Sequence, residues 1–273
     1  MRKRNYVTGL VAALAISVAV PAMAHAAIVS TDITAIANGT KQQKKVRGAV
    51  GLDFTTNTVH TYPGVLQPTA FATVDFPKDW AFNAGKLPTC NPVALLNTTT
   101  DQAKGICGGK RILGGGDATT CNATGTCGNP VKGGTPGFGG IVTAFNAVRS
   151  GGSLGILLHT RLSAGATLVL NGQLVNSPLG GIYGKRLNVE TPDSTSTGQE
   201  LTQFHTNLPK TVSKKKKKID KATGKKKVIK TFYISARCSK KKKWDFLATF
   251  AHRNGGPTTQ GTTQVACKQK KKK

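Results

Sequence analysis

The pattern in this sequence closest to a catalytic motif is Gly151-Gly152-Ser153-Leu154-Gly155. It fits G-x-S-x-G, in which a sharp strand-to-helix turn exposes a nucleophilic serine. The same mechanism needs an acid and then a histidine later in the chain, and the candidates are Glu190 or Asp193 followed by His205 or His252. Because residues 156–159 read as strand rather than helix, we expect a Gly-Ser turn here. A secreted hydrolase is therefore a less favoured alternative.

No set of side chains in the sequence has the spacing of a metal or cofactor site. Four histidines, His60, His159, His205 and His252, are isolated, and none forms an H-x-x-x-H pair. Asp75 and Asp79 flank a Pro-Lys pair and could mark a cation or sugar site, although a turn is the favoured interpretation. We expect no catalytic residue, no metal and no cofactor.

Positive charge is the chemistry that stands out. The chain has 39 Lys and Arg against 11 Asp and Glu, a formal net charge of +28. Residues 210–273 hold 22 basic and two acidic residues, whereas residues 27–209 hold 14 and nine. Adjacent ammonium groups repel one another and stay hydrated, so we expect the lysine runs in loop tips, exposed strand ends or a tail.

Two interpretations of the lysine runs remain open. In the first, they form an electrostatic patch for anionic cell-wall polymers or lipid headgroups, with nucleic acid less favoured because few aromatic residues alternate with the lysines. In the second, they make a highly soluble surface that discourages edge-to-edge pairing of strands. The candidate polyanion-binding residues are Lys214, Lys215, Lys216, Lys217, Lys218, Lys225, Lys226, Lys227, Lys240, Lys241, Lys242 and Lys243.

Residues 1–26 have the features of a secretory signal peptide. Arg2, Lys3 and Arg4 precede an uncharged, mostly apolar run at 7–20, and small residues at 22–26 give cleavage patterns. The run is shorter than the roughly 20 residues that a membrane span needs, and no later stretch reaches that length. We therefore expect a protein that is exported, cleaved after Ala26 and without a membrane anchor.

Export makes disulfides the favoured state of the six cysteines. Six cysteines allow 15 pairings, and spacing suggests neighbours: Cys90 with Cys107, Cys121 with Cys127, and Cys238 with Cys267. Zinc is less favoured because no C-x-x-C occurs.

Short alternating runs predict an all-β protein, an antiparallel β-sandwich at 27–209 followed by a basic β-meander and tail at 210–273 that may complete the sandwich. Asn171-Gly172 predicts a two-residue hairpin. Between Cys90 and Cys107, Asn91-Pro92 predicts one short helix, and Thr99 with Gln102 predicts a capping box for a second. A bond between Cys238 and Cys267 requires their strands to be adjacent or to meet at an end.

Several segments resemble a group of secreted actinobacterial proteins of unknown function. The similar segments are residues 86–90, 97–100 and 102–107 around the first two cysteines, strands at 112–120 and 141–146, and the ending at 233–238, 244–250 and Cys267. Gly114-Gly115-Gly116 departs from the usual alternation of the group, and Cys121 and Cys127 look like an additional bridge. The resemblance implies an extracytoplasmic β-sandwich and brings no established function.

Together these features predict a secreted, non-enzymatic, envelope-associated structural or binding protein that its lysine-rich region holds to anionic surface polymers. The alternative is a carbohydrate- or protein-binding module, which would show an exposed aromatic pair such as Trp80 with Tyr62 or Tyr183.

Overall fold

The computed structural model describes residues 28–148, 154–194, 197–210, 212–219, 224 and 226–269. The protein is predominantly antiparallel β-structure, which confirms the predicted all-β class. Its strands are β1 (Ile28–Asn38), β2 (Lys41–Gln42), β3 (Gly48–Ala49), β4 (Gly51–His60), β5 (Thr69–Pro77), β6 (Trp80–Phe82), β7 (Ile112–Cys121), β8 (Cys127–Asn129), β9 (Gly133–Gly134), β10 (Gly140–Val148), β11 (Leu154–Leu162), β12 (Thr167–Asn176), β13 (Tyr183–Glu190), β14 (Glu200–Leu208), β15 (Val212–Ile219), β16 (Lys226–Phe232), β17 (Ile234–Ala236), β18 (Lys243–His252), β19 (Thr259–Ala266) and β20 (Lys268–Gln269). Its helical segments are η1 (Ala84–Lys86), η2 (Pro92–Leu95), α1 (Thr100–Ile106) and η3 (Gly109–Arg111).

Most strands belong to one continuous sheet, ordered β1-β4-β14-β7-β10-β11-β12-β13-β5-β18-β19. The sheet curls until its last strand lies against its first: Oγ1 of Thr259 in β19 is 2.6 Å from Oγ1 of Thr31 in β1. Gly261 permits this approach, since a Cβ atom there would lie 2.8 Å from the Thr31 carbonyl oxygen. The all-β class is thus confirmed, while the core lies inside one curled sheet and not between two separate sheets as in the predicted sandwich.

An aromatic cluster fills one end of this enclosed space. Trp80 makes edge-to-face contacts with Trp244 and Phe246, at ring-centroid distances of 5.4 and 5.2 Å. Both partners lie on β18, whose alternation buries one face as the sequence predicts. The small sheet β3-β17-β6 carries Trp80 and Ile234 into the cluster. This end of the fold is therefore rigidly packed.

The helical insertion is confirmed in its details. Cys90 is bonded to Cys107. The Asn91 side chain accepts a hydrogen bond from the Val93 amide at the start of η2, and Thr99 and Gln102 form the complete capping box of α1. The other two predicted disulfides, Cys121–Cys127 and Cys238–Cys267, are also present.

The strands after residue 210 are distributed among four sheets, and the last of them, β20, pairs with β2. β18 pairs with β5 and β19 pairs with β18, so both extend the main sheet. β15 and β16 pair with each other, and β17 pairs with β3 and β6 in the small sheet. Cys238 follows β17 and Cys267 follows β19, so the bonded cysteines meet at strand ends, one of the two arrangements that the bond allows.

The predicted hairpin at Asn171-Gly172 is wrong. Both residues lie inside β12, where Gly172 is paired with Ile156 of β11 on one side and Val189 of β13 on the other. Two flanking ladders outweigh the local turn preference of an Asn-Gly pair. A glycine fits at this position because a Cβ atom there would lie 2.9 Å from the Ile156 carbonyl oxygen of the neighbouring strand.

Candidate functional site

Basic side chains from three separate segments line an open cleft of about 370 Å³. We call it the basic cleft; its lining residues are Lys44, Lys45, Lys78, Arg237, Ser239, Lys240 and Lys241. The first two lie between β2 and β3, Lys78 lies in the turn between β5 and β6, and the others lie between β17 and β18. Six cationic groups thus face one concave surface.

Main-chain and side-chain bonds hold these segments together. The Arg237 amide donates to the Asp79 carbonyl oxygen at 3.2 Å, and the Cys238 amide donates to the Gln43 carbonyl oxygen at 3.1 Å. Nε2 of Gln269 donates to the carbonyl oxygens of Cys238 and Ser239 at 3.1 and 2.9 Å. With the Cys238–Cys267 bond, these contacts fix the cleft on the rigid end of the fold.

Little negative charge opposes the cleft. None of its lining residues carries a carboxylate. The carboxylate of Asp79 is buried and accepts a hydrogen bond from Nε of Arg237 at 2.8 Å. The lysines of the cleft are exposed, so an external anion can reach them. A concave surface with one sign of charge attracts counter-ions and steers them inward.

Lys240 and Lys241 are the predicted candidates that the structure brings into this cleft. The sequence reasoning missed Lys44, Lys45 and Lys78, which lie far away in the chain, and also Arg237, which lies just before Lys240. The short basic run at 44–47 was the available signal, and it was obscured by the longer lysine runs.

The longest lysine run, at 214–218, and also Lys226 and Lys227 lie on a two-stranded hairpin, β15–β16. Lys215 is paired with Lys230 and Lys218 with Lys227, so the expectation of loop tips and strand ends is wrong for these residues. β16 contacts β3, and β15 contacts η1. The hairpin therefore lies at the same end of the fold as the small sheet and the basic cleft. Lys225 and residues 270–273 lie outside the described residues.

Asp75 and Asp79 lie on either side of a tight turn, the interpretation that the sequence favours. Their carboxylates do not share a site. Asp75 accepts hydrogen bonds from Nε and Nη2 of Arg186 at 2.8 and 2.6 Å and from Oγ of Ser177 at 2.5 Å. Each of the two aspartates is thus already paired with an arginine.

A buried carboxylate that sequence reasoning did not single out lies at the start of β14. Glu200 accepts hydrogen bonds from the Tyr62 hydroxyl at 2.8 Å and the Gln67 amide at 2.6 Å, and Nδ1 of His60 lies 2.9 Å away. Burial by itself raises the pKa of Glu200, but the neighbouring His60, Tyr62 and Gln67 outweigh burial and hold this pKa below its usual value. The cluster anchors the segment that follows β4.

A second polar cluster lies on the outer face of the main sheet. His205 has one ring nitrogen 2.7 Å from Asp117 and the other 3.0 Å from Asp53. Hydrogen bonds from Asn129, His205 and Lys132 outweigh the burial of Asp117 and lower its pKa. His205, proposed as a hydrolase partner, is thus held between two carboxylates.

The remaining catalytic and metal candidates gain no support. Ser153 lies outside the described residues. His159 is buried with Nε2 3.1 Å from Oγ1 of Thr98, and Nε2 of His252 lies 3.3 Å from Oγ1 of Thr259. Across the part of the chain that the structure describes, no three His, Cys, Asp or Glu side chains are placed to hold a metal ion. The predicted exposed pair with Trp80 is wrong, since Trp80 is buried in the aromatic cluster.

The chain matches no protein-family model, no curated protein and no solved structure. The resemblance to secreted actinobacterial proteins therefore stays a prediction. Among the described residues, no helix has the length and apolar character needed to span a membrane.

Proposed function

We propose that this is an exported, non-enzymatic protein of the cell envelope that binds anionic surface polymers through its basic end. The observation that carries the proposal is the basic cleft, in which six cationic residues from three segments line one open cavity. Charge scattered over the surface is sufficient for solubility, so solubility alone does not require cationic residues from separate segments to line one cleft. The lysine-rich hairpin at the same end of the fold supplies a second basic surface along which a long polymer can continue.

Polymers with repeating phosphate or carboxylate groups suit this arrangement. Exposed lysines bind anions without a fixed geometry, which favours a flexible polyanion over one small ligand of defined shape. Each phosphate contact releases a counter-ion, so such binding weakens steeply as salt rises.

Point variants test this proposal better than truncation does. Removal of the chain after Asn207 would delete β18 and, with it, Trp244 and Phe246 from the core. The test variant changes Lys44, Lys78 and Lys241 of the basic cleft to Gln. The matched control changes Lys104, Lys110 and Lys185, which lie outside the cleft, to Gln and removes the same amount of charge.

Binding to immobilised inorganic polyphosphate and to isolated cell walls is measured over a range of salt concentrations. We expect the cleft variant to bind about tenfold more weakly, and its slope of log K against log salt to fall by about three. The control variant should retain most of its affinity. Equal losses in the two variants would show that net charge alone attracts the polymer, and the proposed cleft would be rejected.

A separate variant changes Lys215, Lys216 and Lys217 of β15 to Gln. A loss of cell-wall retention comparable to that of the cleft variant assigns the hairpin to the same surface. Unchanged cell-wall retention would show that the hairpin takes no part in binding, and the proposal would then apply to the basic cleft alone.

A further inference from the structure

The inner face of the curled sheet encloses two adjoining cavities of about 90 and about 40 Å³. Five residues line both cavities: Thr69, Leu170, Thr191, Leu201 and Phe204. Protein interiors rarely leave voids larger than a water molecule. The larger cavity here has about three times the roughly 30 Å³ that a water molecule occupies in the liquid. It is large enough to hold a small organic molecule.

Apolar side chains make up most of the wall of the larger cavity, including Phe54, Phe76, Leu158 and Leu187. A buried water molecule needs two to four polar partners. The side-chain polar atoms at this wall are threonine hydroxyls, carried by Thr56, Thr69, Thr191 and Thr206. This wall suits hydrocarbon better than a cluster of ordered water.

Each cavity also has one hydroxyl group in need of a partner. Oγ1 of Thr206 at the larger cavity and Oγ1 of Thr160 at the smaller one are buried, and neither has a hydrogen-bond partner among the described residues. A buried polar group left without a partner destabilises the folded protein. A ligand with an apolar body and one hydrogen-bonding group would fill the cavity and also remove this cost.

We propose that the enclosed interior binds a small uncharged molecule with a hydrocarbon body of about six heavy atoms and a single hydroxyl group, of the size and polarity of phenol. A dry apolar cavity of about 150 Å³ binds benzene in another protein, so a ligand of this size has to occupy both adjoining cavities, of about 90 and about 40 Å³. A charged ligand is excluded, because burial of an unpaired charge is far more costly. No residue of the basic cleft lines either cavity, so this inference does not rest on the proposed function.

The direct test titrates the oxidised protein with phenol and with benzene, and follows the methyl signals of Leu and Val by NMR together with the melting temperature. Ligand that binds only the folded state raises the melting temperature in a saturable way. We expect saturable shifts confined to methyl groups at the cavity wall, such as Leu158 and Leu187, and tighter binding of phenol than of benzene. Absence of shifts at these methyl groups up to the solubility limit of both probes would overturn the proposal.

Val74→Leu and Val189→Leu each add a methylene group at the cavity wall. Val142→Leu is the matched control, since Val142 is buried in the same core and lines neither cavity. Filling a real void preserves or increases stability, whereas overpacking lowers it. We expect the first two variants to keep their melting temperature and bind phenol at least tenfold more weakly. Val142→Leu should lose stability and retain phenol binding; if all three lose stability equally, the void is rejected.

Thr206→Val tests the polar half of the proposal, because it removes the hydroxyl and keeps the volume. The variant should be at least as stable as the natural protein, and phenol should lose its advantage over benzene. If phenol keeps its full advantage in Thr206→Val and also in Thr160→Val, the hydroxyl groups do not recognise the ligand, and the ligand class is wrong. Polyphosphate binding should remain unchanged in all of these variants, which separates this outcome from that of the proposed function.

Discussion

The buried ion pair between Asp75 and Arg186 gives a quantitative test of how this sheet is stabilised. Asp75 lies on β5 directly opposite Arg186 on β13, and its side chain is fully buried. The Arg186 side chain keeps 19% of its surface exposed. The substitution Asp75→Ala leaves a largely buried guanidinium group without its carboxylate, and the Ser177 hydroxyl without its acceptor.

Loss of one partner of a buried ion pair costs about 3–5 kcal/mol. Because Arg186 is partly exposed, water can solvate part of its unpaired charge. We therefore expect the free energy of unfolding to fall by an amount near the lower end of this range, about 3 kcal/mol. For a protein of this size that corresponds to a melting temperature lower by about 6–12 °C. The double variant Asp75→Leu/Arg186→Met leaves no unpaired charge and should recover most of the lost stability.

Urea unfolding of the oxidised protein measures these differences. Asp245→Ala is the matched control, because Asp245 lies on the neighbouring strand β18, is 13% exposed and is paired with Lys243 at 3.5 Å. A partly solvated pair of this kind contributes below about 1 kcal/mol. If Asp75→Ala and Asp245→Ala cost the same, or if the double variant is no more stable than Asp75→Ala, the assigned role of burial is refuted.

Three further outcomes are expected. Gly116→Ala places a Cβ atom against the His205 carbonyl oxygen and should cost at least about 1–3 kcal/mol in the same urea assay. Gly105→Ala in α1 meets open space and should stabilise the protein by up to about 1 kcal/mol. Equal effects of the two substitutions would contradict the close approach of β7 and β14. Removal of the Cys238–Cys267 bond should cost more stability than removal of the Cys121–Cys127 bond. The loop entropy for separations of 29 and 6 residues gives about 3.6 and about 2.2 kcal/mol. The reverse order would refute an entropic origin of the stabilisation. Folding lowers the pKa of Glu200, so the ionised carboxylate stabilises the folded protein above the unfolded pKa near 4.3, and this stabilisation is lost as pH falls through the folded pKa. The variant Glu200→Gln should therefore show a flatter dependence of stability on pH on the acid side. An unchanged profile would contradict the lowered pKa.

Local features of the sequence predict local structure well in this protein. The Asn91 cap and the capping box of Thr99 and Gln102 depend on neighbours two or three residues away, and both are present. Strand β11 matches the predicted residues 154–162, a mostly apolar run with both faces buried: Ile156 and Leu158 pack in the main core, and Leu157 packs in the second core cluster with Cys90 and Cys107. The three disulfides join cysteines that are neighbours in the chain, so spacing was sufficient.

The failures share one physical cause, which is that a distant segment decides the outcome. Asn171-Gly172 has the residues of a hairpin, but strands β11 and β13 pair on both sides of it and keep it extended. Trp80 follows a polar turn, yet Trp244 and Phe246, more than 160 positions later, bury it. Pairing and burial across the sheet contribute more than the local preferences that they replace.

The sequence by itself determined the all-β class, the three disulfides, the helical insertion and a strong positive charge toward the C-terminal end. Only the tertiary structure brings Lys44 and Lys78 into one cleft with Lys240 and Lys241, because β17 pairs with β3 and β6 and so gathers the segments next to these strands. The same holds for the interior cavities, whose walls come from many separate strands. Charge and hydrophobicity are properties of residues, whereas a cleft or a cavity is a relation between residues that only folding creates.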